Sequence, residues 1–305
     1  MRAMQPHGPF PDRDTMDKAM NEKRIEDLRA TLTDPAVGRY AGNVCDLPSL
    51  PETYTALSRA AADPKTSVGT IADIIESDPV ISVRLLQLVN SAFFGMTQRT
   101  SSIPKAVSIM GTNLLKSLVL SAHMCNAIER FPTRSFSMSR YQQYAIRVAR
   151  LARRLAGARD CADDAFTAGI MLGIGQLVFA LKAPELFERV LQRVAATGEL
   201  QHKVELELMG TTHAEVGALL LSNWGIPFAI VECVALHLRP SAVGPGNCEL
   251  LALVHSADAL TGIIACRETE SRLDLQFLSR AGFIDEVPRW RRLAESAGEG
   301  ETRLS

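Results

Sequence analysis

The sequence predicts an all-α protein built as two helical lobes. Three observations carry that prediction. Apolar residues recur at helical spacing in almost every segment after residue 54. No run of strand length alternates apolar and polar side chains. A break at Phe131-Pro132, ahead of a new series starting near Ser139, divides the helices into two groups.

Residues 1–13 carry three prolines and a glycine and are expected to hold no fixed structure. Thr15 to Leu32 reads as an amphipathic helix, with Met16, Met20, Ile25, Leu28 and Leu32 roughly on one stripe. Asp34-Pro35 ends it, and "CDLPSLPETY" (Cys45–Tyr54) follows as an extended, proline-punctuated entry. Asp78 can cap, and Pro79 fits the first turn, of a helix that runs to about Phe93 and stops before Gly95. A short helix from Ile103 to Met110 is set off by Gly111-Thr112 from a longer one, Asn113 to Arg130. The second group is expected at about 140–156, 162–172, 176–182, 184–196, 200–209, 213–224, 227–238, 247–267 and 274–281. The organisation is thus an extension over 1–45, a domain over 46–282 with lobes 46–131 and 137–282, and a C-terminal tail over 283–305.

A chain of 305 residues can bury a sizeable core, and 47% apolar with 22% charged residues is the composition of a globular protein. A net charge of −1 provides no overall field to attract nucleic acid or an anionic membrane. The six cysteines form no CxxC pair and no secretory signal precedes them, which fits scattered thiols of a cytoplasmic protein. The longest apolar run, Ala165 to Leu181, is broken by Thr167, Gln176 and three glycines and reads as buried core rather than a membrane span.

The common catalytic signatures are absent: there is no GxxxxGK[ST], no GxSxG and no HExxH. Gly173-Ile174-Gly175-Gln176 lacks the third glycine of a dinucleotide loop and follows no strand, so its glycines read as helix ends and close-packing positions. His213 opens a helix, His237 ends one, and His255 lies one turn before Asp258. These could converge on a metal, but the set is short of acidic ligands, and structural hydrogen-bonding roles are the favoured reading. No catalytic residue, metal or cofactor is expected.

Five stretches carry a family resemblance: "LPSLPETYTAL" (Leu47–Leu57), "IADIIESDPVISVRLLQLVNSAFFG" (Ile71–Gly95), "SIPKAVSIMGTNLLKSLVL" (Ser102–Leu120), "AGIMLGIGQLV" (Ala168–Val178) and "HAEVGALLLSNWGIP" (His213–Pro227). In this order they resemble the two halves of the HDOD domain, the HD-related output domain of bacterial signalling proteins, over roughly residues 46–282. The resemblance implies that the C-terminal lobe is an HD-like helical bundle. It also implies a degenerate form of the metal site of HD phosphohydrolases. The first-helix His position falls on Tyr144, the His-Asp doublet on Leu172 and Gly173 with Gln176 where a Lys is common, and the later His on His213. His237 takes the first place of a "HHxP" stretch, Leu238 the second, and Asp258 the terminal Asp. Leucine and glycine offer a divalent ion no lone pairs, so a metal-activated water is not expected. The pocket is expected to be filled by Leu172, Tyr144 and their neighbours, since an empty apolar lining costs packing energy. Asn90 and Ser91 in "VNSAFFG" are the family-like polar pair, with Asn90 suited to bond the loop near Gly95.

The resemblance therefore implies a non-enzymatic regulatory module that acts through a signalling protein partner. The Met16–Leu32 helix could serve docking or homodimerisation, or pack on its own domain. Two alternatives are a residual phosphohydrolase using His213, His237 and Asp258, and a nucleotide sensor holding an anion between the lobes against Arg84, Lys105 or Lys116. Nucleic-acid binding would rest on Arg140, Arg147, Arg150, Arg153 and Arg154, a stripe more simply read as a solvated face.

Overall fold

The computed structural model describes residues 13–41, 52–63, 65–90, 100–128, 135–244, 246–266 and 272–302. Among these the protein is all-α, with no strand. Two helices precede the lobes: α1 (Arg13–Leu32) and α2 (Pro35–Ala41). The N-terminal lobe holds α3 (Glu52–Ala61), α4 (Val68–Glu76), α5 (Pro79–Val89), α6 (Ile103–Met110) and α7 (Thr112–Ile128). The C-terminal lobe begins with α8 (Met138–Ala156), α9 (Ala162–Met171), α10 (Ile174–Lys182), α11 (Pro184–Thr197) and α12 (Gln201–Met209). It continues with α13 (His213–Asn223), α14 (Phe228–Leu236), α15 (Glu249–Cys266), α16 (Leu275–Arg280) and α17 (Val287–Thr302).

Side-chain oxygens satisfy the free N–H groups at several helix starts. Asp78 accepts from Ile81 N at 3.1 Å, Ser67 from Thr70 N at 3.0 Å, and Thr212 forms a full capping box with Glu215. Asn90 closes the loop after α5 from both sides: its Nδ2 donates to Thr100 O at 2.6 Å and its Oδ1 accepts from Thr100 N at 2.7 Å. The expected structural role is there, with Thr100 as the partner. Ser91, and the loop around Gly95, lie outside the described residues.

Three expectations are corrected. Pro35 does not merely end the first helix; it opens α2, because a proline's missing N–H costs nothing at a first turn. The segment after 282 is no simple tail: α17 packs on α8 and α15, with Val287, Trp290 and Ala294 buried at helical spacing. The extension over 1–45 does not stand apart either. α1 and α2 pack on α13, α14 and α10, with Leu28, Leu32, Val37 and Tyr40 in the core. Residues 22–32 thus pack on the chain's own domain; the side chains of Met16 and Met20 lie outside the described residues.

The lobes join where α7 meets α9 and α10, and Ser117 Oγ lies 2.7 Å from Thr167 Oγ1 across that seam. The stretch Ala162–Lys182 is long and apolar enough to cross a membrane, yet 72% of it is buried inside the protein, with Phe166 and Phe179 at its centre. It also breaks at Leu172–Gly173, between α9 and α10.

Candidate functional site

All six positions that the family resemblance assigns to the old metal site line one cavity of about 330 Å³ in the C-terminal lobe. Tyr144 reaches it from α8, Leu172 and Gly173 from the α9–α10 break, His213 from the start of α13, His237 from the end of α14, and Asp258 from α15. The cavity's volume lies at the small end of ligand pockets. The expectation of a filled pocket is corrected: Leu172 and Tyr144 line the space without closing it. The penalty for an apolar void does not apply in full, because Gln176, Gln201, His202 and Arg140 also face it and can hold water.

Glycines set the frame. A Cβ on Gly175 would fall 1.9 Å from His213 O, so α10 and α13 meet backbone to backbone there. A Cβ on Gly169 would fall 2.7 Å from Ala149 Cα, so α9 also sits close on the backbone of α8. At Gly173 it would fall 2.7 Å from Tyr141 Cε2; the tyrosine ring stands where a side chain of the doublet's second residue would begin.

The polar groups are mostly committed to one another. Arg272 forms an ion pair with Asp258 Oδ2, while Tyr144 Oη donates to Asp258 Oδ1 at 2.9 Å. Burial pushes the Asp258 carboxyl up, but the Arg272 guanidinium, then His237 and the Tyr144 bond, outweigh it and hold the group below its ordinary range. His213 Nδ1 lies 2.6 Å from Glu205 Oε2. That carboxyl accepts from His213 N (2.9 Å) on Oε2 and from Gln201 Nε2 (2.7 Å) on Oε1, so Nδ1 is the donor. His237 Nδ1 donates to Val234 O at 2.9 Å, and burial holds its ring neutral, with a pKa of about 3. His255 takes no part: its Nδ1 donates to His237 O (2.7 Å) and its Nε2 accepts from Asp274 N (2.9 Å), so it braces α15 against α14 and α16. The suggested pairing of His255 with Asp258 on one site is thereby corrected, since both ring nitrogens are spent.

The donor set does not fit a divalent metal. Asp258 is closed by a guanidinium and a phenol, the doublet offers nothing, and no group of three metal-ligating side chains comes together among the described residues. The sequence reasoning missed Arg272, Glu205, His202 and Tyr141. Arg272 lies 14 residues beyond Asp258, a separation that carries no helical signal. It also placed an anion between the lobes; Lys105 and Lys116 are not part of this cavity, and the Arg84 side chain lies outside the described residues. The basic stripe of α8 faces its own chain in part, with Arg154 donating to Leu293 O (3.4 Å) and Ser296 Oγ (3.2 Å), and Arg153 pairing with Asp163 (3.2 Å).

Acid should loosen this lobe. His237 in the fold binds its proton far more weakly than the ordinary 6.5 of an unfolded chain, so the unfolded state takes up the proton first. Stability is full above the unfolded value and falls as pH drops below it. From about pH 7 to about pH 5 the loss from His237 is about 2 kcal/mol. His202, which burial holds at about 4, pulls the same way. Urea unfolding at the two pH values checks this; equal stabilities would show that the rings are not buried neutral.

The family model for the HDOD domain matches residues 47–240. An uncharacterized protein of Treponema pallidum (strain Nichols) is 27% identical over 212 residues, 68% of this chain and 40% of that protein. The chain thus spans about two fifths of the length of that relative. The fold is similar to a Shewanella amazonensis protein provisionally named a phosphohydrolase, with a TM-score of 0.63 and 22% identity over 88% of this chain and 99% of that one. It is also similar to an HDOD domain protein of unknown function from Geobacter sulfurreducens, with a TM-score of 0.62 and 20% identity over 91% and 99% of the two chains. A third, from Marinobacter aquaeolei VT8 and provisionally named a signal transduction protein, has a TM-score of 0.61 and 23% identity over 95% and 67%.

Proposed function

The chain belongs to the HDOD domain family, and from that premise we propose that it is a non-enzymatic signal-transduction module whose output is contact with a protein partner. One observation carries the reading. The surviving acidic position of the old metal site, Asp258, is neutralised by a tethered cation, Arg272, in place of a metal ion. Restoring the doublet would need more than its side chains, since the Tyr141 ring stands against Gly173. The surface offers something to contact: Val68, Val83 and Ile109 are each about half exposed on α4, α5 and α6, three helices that pack together.

The test has two arms. Purified full-length protein is expected to retain no stoichiometric manganese, iron or zinc and to leave a phosphodiester substrate intact. In native-host extract it is expected to co-purify a partner that Val83→Asp and Ile109→Asp release. Bound transition metal, with hydrolysis abolished by Asp258→Ala, would establish the phosphohydrolase instead. Deleting residues 1–45 is not a clean probe, because Arg24, Leu28 and Leu32 belong to the core of the C-terminal lobe.

A second reading is favoured by the open cavity of about 330 Å³: the module senses a small molecule there and passes its occupancy on to the partner.

A further inference from the structure

We propose that the cavity of the C-terminal lobe recognises an uncharged, flat heterocycle bearing N–H groups, of the class of a nucleobase or nucleoside, and not a phosphate. This rests on the sensor reading and supplies the ligand's chemistry.

The argument starts from what each polar group still has to offer. His237 is 2% exposed and lines the cavity, and its Nδ1 proton is spent on Val234 O. In a neutral ring the remaining nitrogen, Nε2, then carries a lone pair and no proton. It can only accept. A ligand that buries itself against it must bring an N–H or O–H, or leave a desolvated acceptor unpaired. His202 and Gln176 add a neutral imidazole and a primary amide on the same lining, each with a donor and an acceptor. Acceptor and donor sites on separate elements suit a ring with mixed edge groups.

Charge decides against phosphate. The cation facing the interior, Arg272, is already paired with Asp258, and that carboxylate would repel an approaching anion. Arg140 also lines the cavity, but its side chain is exposed at the rim, where water screens it. The His237 ring, held neutral with its Nδ1 proton spent on Val234 O, adds a bare lone pair on Nε2 that gives an anion nothing to bond.

Shape agrees with the polar inventory. Phe136 and Tyr141 form an aromatic wall, their ring centroids 5.9 Å apart, and Phe136 leans in turn on Phe187 at 5.7 Å. Tyr141 is held from behind by the bare face of Gly173. A flat ring has surfaces to lie against, with Leu172 and Val148 also on the apolar lining. The volume suits one base or nucleoside rather than a dinucleotide.

The experiment is calorimetry on the full chain with adenine, guanine, uracil and their nucleosides, alongside inorganic phosphate and a cyclic dinucleotide. One or more bases should bind, and phosphate should give no heat. His237→Phe, which removes the acceptor, should weaken binding about tenfold or more. Leu200→Trp, which narrows the cavity and leaves every acceptor in place, should do the same, with circular dichroism confirming the fold of each variant. Binding that neither variant weakens overturns the proposal. If phosphate or the cyclic dinucleotide binds in competition with nothing but itself and is lost in Leu200→Trp, the sensor reading stands and the ligand class falls. If nothing binds at millimolar concentration, both fall.

Discussion

Gly175→Ala is expected to destabilise the protein by about 3 kcal/mol or more, lowering its melting temperature by roughly 6–12 °C. The added methyl would lie 1.9 Å from His213 O, 2.7 Å from His213 C and 2.8 Å from Gly217 N. All three are backbone atoms, so no side chain can swing aside to relieve the clash. Gly217 returns the constraint, since its own Cβ would meet Gly175 N at 3.0 Å. The helices α10 and α13 would have to part, and Phe179, Leu177, Val216 and Leu220 are all fully buried in them. His213 is the first residue of α13, so the site would move with the helix. Gly38→Ala is the control: nothing lies within 4 Å of its Cβ position, and inside α2 the change should be neutral or slightly stabilising. Thermal unfolding of both variants decides it. A Gly175→Ala protein that melts with the wild type would mean that the two helices are farther apart than described.

The next largest effect is expected at Arg24 and Glu232. Arg24 Nε donates to Glu232 Oε1 at 2.9 Å, Nη2 pairs with Oε2, and Nη1 donates to Asn247 O at 3.0 Å. The two residues are 8% and 3% exposed. Glu232→Ala strands a guanidinium among apolar groups, and Arg24→Ala strands a carboxylate; each is expected to cost about 3–5 kcal/mol. The double change Arg24→Met with Glu232→Leu should recover most of that, because an apolar pair of similar size avoids the desolvation penalty. Urea unfolding of the wild type, Arg24→Met, Glu232→Leu and the double variant gives the coupling directly. If the single and double changes prove additive, the pair is not acting as a unit. A large coupling would also show that α1, at the far N-terminus of the described chain, is anchored to α14 as an integral part of the lobe.

Much of the fold was legible from residue order. The cap at Asp78 and the stop at Gly111 are local signals, and local signals survive reading in one dimension. The two helices read wrongly had ambiguous ones. Pro35 can close one helix or open the next, and only the burial of Val37 and Tyr40 against α10 and α13 shows which it does. In α17 the apolar stripe of Val287, Trp290 and Ala294 is diluted by arginines and glutamates, and it was passed over as tail. Gly173 and Gly175 read correctly as helix-end and close-packing positions, though nothing in the string says which group each one touches.

The sequence by itself determined the helical class and the family, because each depends on residue types at short range or on an ordered set of motifs. Tertiary structure alone decided that Arg272 would neutralise Asp258, that Glu205 would hold His213, that His255 would brace α15 instead of joining the site, and that a cavity would remain. The physical reason is that a buried charge or ring nitrogen takes whichever complementary group packing brings within about 3 Å, and that group can come from anywhere along the chain.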